Sequence, residues 1–326
     1  MIVRDNTSCM EEAALSTASF SDATSSLLEH CSLCPRACGA NRVAGARGVC
    51  GAADELRIAR AALHFWEEPP ISGNVGSGAV FFSNCPLHCV YCQNEPIANG
   101  SCGVDVSVRR LARIFLELQG QGALNVNLVT PTHYVPQIIE AAKLAREAGL
   151  TIPFVYNTSG YETPETIALL KGLVDTYLVD FRYIDAQTAR SYSKAPTYPE
   201  FAMASLDAMV KQGAHVIVRV LLLPTHLEET KRIVRYVHET YAVQETLGQL
   251  KLSLMSQYTP MGTFPLHPEL EQRVDPEAFE ELLDYADDIG CDDYFWQEGG
   301  AAEESFIPDF ASHEGVVGPE LASDAE

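Results

Sequence analysis

Short apolar runs alternate with longer stretches whose apolar residues recur at helical spacing over most of the chain. Residues 79–82 (Ala-Val-Phe-Phe), 125–130, 153–157, 176–181, 215–223 and 251–258 read as strands. Between them, Ser107 stands before a helix with Val108, Leu111, Ala112 and Phe115 on one face. Residues 135–148 carry Val135, Ile138, Ile139, Ala142 and Ala145 in helical register, and Gly149 ends the run. Further helices are predicted over 164–171, 201–212, 227–241 and 276–289, the second and last stopped by Gly213 and Gly290. Residues 56–67 contain a candidate strand, 293–296 form another, and the Pro- and Gly-rich stretch 69–78 reads as a plain connector.

Strand–helix alternation implies a parallel sheet with right-handed crossovers. Six strands between residues 79 and 258 suit an open, partial barrel of six βα units; a closed eight-unit barrel needs more elements. In such sheets ligands bind at the carboxyl ends of the strands. Three cysteines follow the first strand, Thr130-Pro131-Thr132-His133 the second, and Asn157-Thr158-Ser159-Gly160-Tyr161 the third. Asp180 and Arg182 end the fourth, Arg219 lies within the fifth, and Gln257-Tyr258-Thr259 end the sixth. Polar groups at six strand ends converge on one face, as a pocket for a polar cofactor requires.

The three cysteines, Cys85, Cys89 and Cys92, have the spacing C-x3-C-x2-C. Thiolate sulfur selects zinc, copper(I) or iron–sulfur clusters. Three protein ligands leave one position open for water, substrate or cofactor. A zinc site completed by His88, or three buried free cysteines, is the alternative. A second group, Cys31, Cys34, Cys38 and Cys50, has the spacing C-x2-C-x3-C-x11-C among turn-forming glycines and Pro35. Four cysteines close a tetrahedral zinc site or hold a second four-iron cluster.

Charge and composition narrow the partners. The 326 residues carry a formal net charge of −22, leaving no basic excess for nucleic acid or an anionic membrane. No apolar run reaches membrane-spanning length and no secretory signal is visible, so a cytoplasmic protein is expected. Ten cysteines, seven of them in two tight groups, read in that compartment as metal binding.

The loop around Cys85, Cys89 and Cys92 resembles the signature of the radical S-adenosylmethionine (SAM) superfamily. Its ending, Tyr91-Cys92-Gln93-Asn94, is similar to the branch of pyruvate formate-lyase activating-enzyme-like iron–sulfur proteins. The resemblance spans about residues 28–298 and implies the same partial barrel. It also implies a [4Fe-4S] cluster on Cys85, Cys89 and Cys92 whose free iron chelates SAM. One electron then splits SAM into methionine and a 5′-deoxyadenosyl radical that abstracts hydrogen. By the same resemblance Tyr91 packs near the adenine, a glycyl radical enzyme is the candidate substrate, and a flavodoxin or ferredoxin is the electron donor. The glycine-glycine-glutamate-like motif common at the second strand end is replaced here by Val-Thr-Pro-Thr-His.

SAM's own chemistry suggests contacts. Thr130 and Thr132 are candidates for its ammonium group, Asn157 and Ser159 for its ribose hydroxyls, and Arg219 for its carboxylate. Asp180 is a candidate for a cation or for orienting substrate. Structural roles compete: Asn157 and Ser159 also suit a turn, Arg219 also suits a buried pair with Asp180, and His133 suits a core or capping position. A radical SAM enzyme acting on a small molecule or peptide, and a non-catalytic iron–sulfur or zinc protein, are the rival functions. The expected organisation is a flexible arm over 1–27, a cysteine-rich extension over 28–74, the core domain over 75–298 and an acidic tail over 299–326 that is disordered at its end.

Overall fold

Strands form where the apolar runs predict them. The computed structural model describes residues 22–242, 250–297 and 308–317. Its strands are β1 (Leu56–His64), β2 (Ser77–Phe82), β3 (Val104–Val106), β4 (Val126–Val129), β5 (Phe154–Thr158), β6 (Thr176–Asp180), β7 (His215–Leu221), β8 (Leu250–Met255) and β9 (Tyr294–Gln297). They make one nine-stranded sheet in the order β3-β1-β2-β4-β5-β6-β7-β8-β9. Neighbours from β2 to β9 along this order pair in parallel, whereas β1 pairs antiparallel with both β2 and β3. The sheet is open, as expected of a partial barrel. Its parallel run exceeds the six counted units by one strand, β9. The short edge strand β3 has no apolar run of its own and goes unseen in the sequence.

Period-two alternation sorts each parallel strand into an outer and an inner row. Outer residues such as Val80, Leu128, Tyr156, Val179, Val218 and Leu254 are buried with helix residues, among them Leu111, Phe115, Ile138, Leu206 and Val234. The helix Val108–Gly120 starts as predicted: the Ser107 hydroxyl accepts from the Arg110 N–H at 3.0 Å. The inner row carries small and polar residues, Ala79, Asn127, Asn157, Asp180, Arg219 and Ser253, and these build the site.

The stretch 69–78 is more than a connector. Pro69–Ser72 is a short helix, and Ile71 packs against Val155, Leu178 and Ile217 on the inner face of β5, β6 and β7. The Asn125 side-chain amide donates to the Ile71 carbonyl at 2.8 Å, fixing the plug at the amino end of β4. The sequence hid this because an isolated Ile between prolines and glycines has no periodicity to report it.

Parts of both expected end segments are ordered where they are described. Asp22–Glu29 is helical, and its Leu28 is fully buried with Cys31 and Leu33, so the arm orders before residue 28. Residues 308–317 of the expected tail dock on β1: the Ala61 N–H donates to the Glu314 carbonyl at 2.8 Å, and Phe310 meets Phe81 edge-on. The apolar anchors Phe310 and Val316 are the physical reason. The rest of the predicted arm (1–21) and of the tail lies outside the described residues. Among the described residues no helix is long and apolar enough to cross a membrane.

Candidate functional site

A cavity of about 300 Å³ opens at the carboxyl ends of the parallel strands and reaches down the inner face of the sheet. Cys85, Cys89 and Cys92 all line it, together with Tyr91, Thr130, Asn157, Ser159, Asp180, Arg182 and Arg219. The loop is held in shape by two left-handed residues, Asn84 (φ 75°) and His88 (φ 55°). Burial, reinforced by the neighbouring thiols, pushes Cys85 up to about 11 and Cys92 up to about 12. At neutral pH these groups stay protonated unless a metal takes the proton's place.

Tyr91 is buried, its ring edge-on to Tyr183, Tyr192 and Tyr258 at 6.4, 5.9 and 6.1 Å. These rings form an apolar aromatic wall beside the cysteine loop, a surface suited to a flat base. The Val90 N–H donates to the Tyr192 carbonyl at 2.8 Å, tying the loop to that wall.

The floor of the cavity is a charge network centred on Arg219. Its Nε donates to Asp180 Oδ1 at 2.6 Å, Nη1 to Glu67 Oε2 at 2.9 Å and Nη2 to Asn157 Oδ1 at 2.7 Å. Asn157 and Asn127 in turn donate to Glu67 Oε1 at 3.0 and 3.2 Å. Every nitrogen of the Arg219 guanidinium is therefore engaged by the protein itself, Asp180 included. Asn157 spends both ends of its amide on the same network, so the structure does not leave it turned toward a ribose. Ser159 lines the cavity, and its carbonyl accepts from Tyr198 Oη at 2.7 Å.

The two threonines after β4 separate. Thr130 lines the cavity in the left-handed region (φ 57°), a costly conformation for a β-branched residue and one that marks functional sites. Thr132 points away: its hydroxyl donates to the fully buried Glu162 at 2.6 Å. Its expected ammonium contact is corrected accordingly, because Glu162 offers a buried carboxyl that needs donors. His133 also leaves the site. It is buried, with Nε2 2.8 Å from the Ser83 carbonyl.

Burial holds the His133 imidazole down at about 3, from an ordinary 6.5. The unfolded chain therefore binds a proton that the folded chain refuses. The contribution is whole above pH 6.5 and drains, by about 1.4 kcal/mol per pH unit, as the pH falls toward 3. His133→Gln is expected to flatten the dependence of unfolding free energy on pH between about 6.5 and 4.5. Denaturant melts at several pH values check this; parallel slopes for variant and wild type would remove His133 from the account.

Two side chains at the cavity carry no advance signal, and a third, Arg182, is flagged only by its place at a strand end. Glu67 and Glu68 precede a proline-rich stretch that reads as loop. Glu68 is 1% exposed, with Oε1 accepting from the Ser253 hydroxyl at 3.1 Å and Oε2 left without a hydrogen-bond partner. Burial raises the Glu68 carboxyl, against the pull of Arg219. Arg182 donates from Nη2 to Asp180 Oδ2 at 2.7 Å, while its Nε has no partner. The charges of Cys89 and Tyr91 act on it, which places this guanidinium at the cysteine loop.

Cys31, Cys34 and Cys50 are buried and Cys38 is exposed. A Cβ at Gly48 would lie 3.3 Å from both Cys38 Sγ and Cys50 Sγ. Burial, and then the charges of Cys50, Cys31 and Cys38, raise Cys34 to about 12.

Sets of three and four thiols are, by the chemistry of their sulfur, donors that suit an iron–sulfur cluster. Among the described residues no three His, Cys, Asp or Glu side chains converge tightly enough to hold a single metal ion. A mononuclear zinc needs its sulfurs about 2.3 Å from one point, whereas a four-iron cluster takes each thiolate on a separate iron. The cavity beside Cys85, Cys89 and Cys92 also offers groups that suit SAM: an aromatic wall, Arg182 with an Nε that has no hydrogen-bond partner, and Glu68 Oε2, which has no hydrogen bond and lies 3.8 Å from Arg219 Nη1.

Residues 79–237 match the radical SAM superfamily. Among curated proteins, the uncharacterized protein MJ0674 of Methanocaldococcus jannaschii is 28% identical over 277 residues, 82% of this chain and 77% of that protein. Among solved structures, Streptococcus suis SuiB bound to S-adenosylmethionine aligns over 66% of this chain and 45% of its own, with 14% identity and a TM-score of 0.47. Native anSMEcpe with bound AdoMet aligns over 65% of this chain and 61% of its own, with 11% identity and a TM-score of 0.46. The aligned region thus spans less than two thirds of either solved protein. The family match is narrower than the resemblance read from the sequence: it covers residues 79–237, just under half of the chain, and falls on the cysteine loop and the parallel strands β2 to β7.

Proposed function

We propose that this protein is a radical SAM enzyme whose substrate is a segment of another protein, a glycine of a glycyl radical enzyme being the leading candidate. The observation that carries the first part is the meeting of three thiols, an aromatic wall and an arginine around one cavity. A [4Fe-4S] cluster held by Cys85, Cys89 and Cys92, with SAM bound to it, supplies one-electron cleavage of SAM and a hydrogen-abstracting radical. The chain's own residues do the positioning. Tyr91 and its neighbours receive the adenine. Thr130 and Ser159 offer polar contacts at the rim, and Asp180 holds Arg182 toward the cysteine loop. Arg182, with its unpartnered Nε, takes the role of meeting the SAM carboxylate, while Arg219 holds the floor together.

Cavity size supports a macromolecular substrate. At about 300 Å³ the cavity sits at the small end of ligand pockets. It opens at the carboxyl ends of the strands, where a projecting backbone can deliver the hydrogen donor at the mouth. A reduced flavodoxin or ferredoxin supplies the electron, and the cytoplasm keeps the thiols reduced.

The test is anaerobic reconstitution with iron and sulfide, reduction, and measurement of 5′-deoxyadenosine from SAM. Product formation supports the reading; a loaded, reduced protein that neither binds nor cleaves SAM defeats it. Arg182→Gln is expected to weaken SAM binding at least tenfold, about 1.4 kcal/mol, with the melting temperature little changed. Isothermal titration with SAM checks this, and unaltered affinity would take Arg182 out of the cofactor site.

A further inference from the structure

The four N-terminal cysteines are not used by the reaction proposed above, yet their loop is fastened to the SAM loop. Arg36, between Cys34 and Cys38, donates to the carbonyls of Pro86 and Leu87 at 3.0 and 3.1 Å, between Cys85 and Cys89. The same guanidinium donates to the Ser193 and Lys194 carbonyls at 2.8 and 2.6 Å. His88 Nε2 lies 3.1 Å from the Val49 carbonyl, one residue before Cys50. Gly51, one residue after Cys50, is so close to Asn84 that a Cβ there would stand 2.7 Å from Asn84 Oδ1, one residue before Cys85. Three independent contacts therefore bring the flanks of Cys34, Cys38 and Cys50 onto the flanks of Cys85 and Cys89.

Charge points to what the cysteines hold. Arg42 is fully buried, and its hydrogen bonds go to backbone carbonyls of Ala53 and His133, none to a carboxylate. A buried cation needs a compensating negative charge. The nearby carboxylate that feels its charge, Asp54, is partly exposed. A cluster ligated by four thiolates is a net anion and answers that need. Twice the Gly48 distance of 3.3 Å bounds the separation of Cys38 Sγ and Cys50 Sγ, compatible with ligands on neighbouring irons.

We infer that Cys31, Cys34, Cys38 and Cys50 hold a second iron–sulfur cluster that passes single electrons to the Cys85–Cys92 loop. The inference rests on the radical SAM reading for its destination, but not for the existence of the cluster. Cys38 is the exposed ligand and faces an outside donor; the other three lie inward. A low-potential flavin or iron–sulfur protein is oxidised by one electron, and the N-terminal cluster is reduced by one. It returns to its oxidised state as the electron moves to the site at Cys85, Cys89 and Cys92. No bond is made or broken and no proton moves at the relay.

The full chain, reconstituted anaerobically, is expected to hold about eight irons, and the Cys31→Ser/Cys34→Ser variant about four. The Cys85→Ala/Cys89→Ala/Cys92→Ala variant is also expected to hold about four. This last variant reads the N-terminal site alone, so it stands even if SAM is never cleaved and even if the first variant fails to fold. No iron in it, or zinc in place of iron, overturns the cluster. For the relay, SAM cleavage is driven either by dithionite or by a reduced flavodoxin. Loss of the N-terminal cluster is expected to leave the dithionite rate within about twofold and to lower the flavodoxin rate at least tenfold. Equal losses with both reductants, or none, overturn the relay.

Discussion

Cys89→Ala is expected to reduce 5′-deoxyadenosine formation to background and to lower the iron content by about four per chain. The same outcome is expected for Cys85→Ala and Cys92→Ala. The reason is geometric: all three thiols line one cavity, so the loss of any one leaves a two-thiolate site that cannot retain the cluster. Fold should survive, because each replacement removes a single heavy atom at the wall of an open cavity. The decisive measurement pairs an anaerobic SAM assay with iron determination and circular dichroism. Retained cleavage in any of the three variants, with the fold intact, would refute the cluster assignment.

Arg219→Ala is expected to destabilise the protein by about 3–5 kcal/mol, because it leaves buried charges uncompensated. Glu67 and Asp180 each lose their charge-assisted bond, at 2.9 and 2.6 Å, and Asn157 loses its donor at 2.7 Å. Glu68, already raised by burial, loses the one cation that opposes the rise. A fall in melting temperature of roughly 5–15 °C follows. Arg219→Lys should recover little, since one ammonium cannot reach three acceptors spread over a guanidinium fork. Thermal melts of both variants, beside SAM titrations of the survivors, separate the readings. A stable Arg219→Ala protein with weakened SAM affinity would return Arg219 to the role the sequence suggested, that of carboxylate ligand.

The frame was legible because it is written in periodicity. Apolar runs at 79–82 and 215–223, with helices between them, dictate a parallel open sheet. The strand-end rule then brings Cys85, Cys89, Cys92, Asp180 and Arg219 to one cavity. What stayed hidden depends on contacts between distant segments. Thr132 reads as a strand-end polar group until Glu162, thirty residues on, claims its hydroxyl. Arg219 reads as a ligand because its partner Glu67 stands 152 positions away in an unperiodic stretch. Arg36 and Arg42 find their carbonyl partners in distant segments that no local pattern announces. In each case the missing information is the satisfaction of a buried polar group, which no local pattern encodes.

The plug formed by Ile71, with Glu67 and Glu68 above it, has a consequence for how the molecule can be taken apart. The segment that stoppers the sheet precedes the matched family region, which begins at residue 79. Cutting the gene there would yield a tube without a bottom: water would reach Arg219, and Asp180 would keep its salt bridge in a wet, weakened form. Melting should therefore proceed as a single calorimetric transition, with the cysteine-rich front and the sheet behind it disassembling together. Trimming the front is then no route to a minimal catalyst, and any shortened version has to begin upstream of β1.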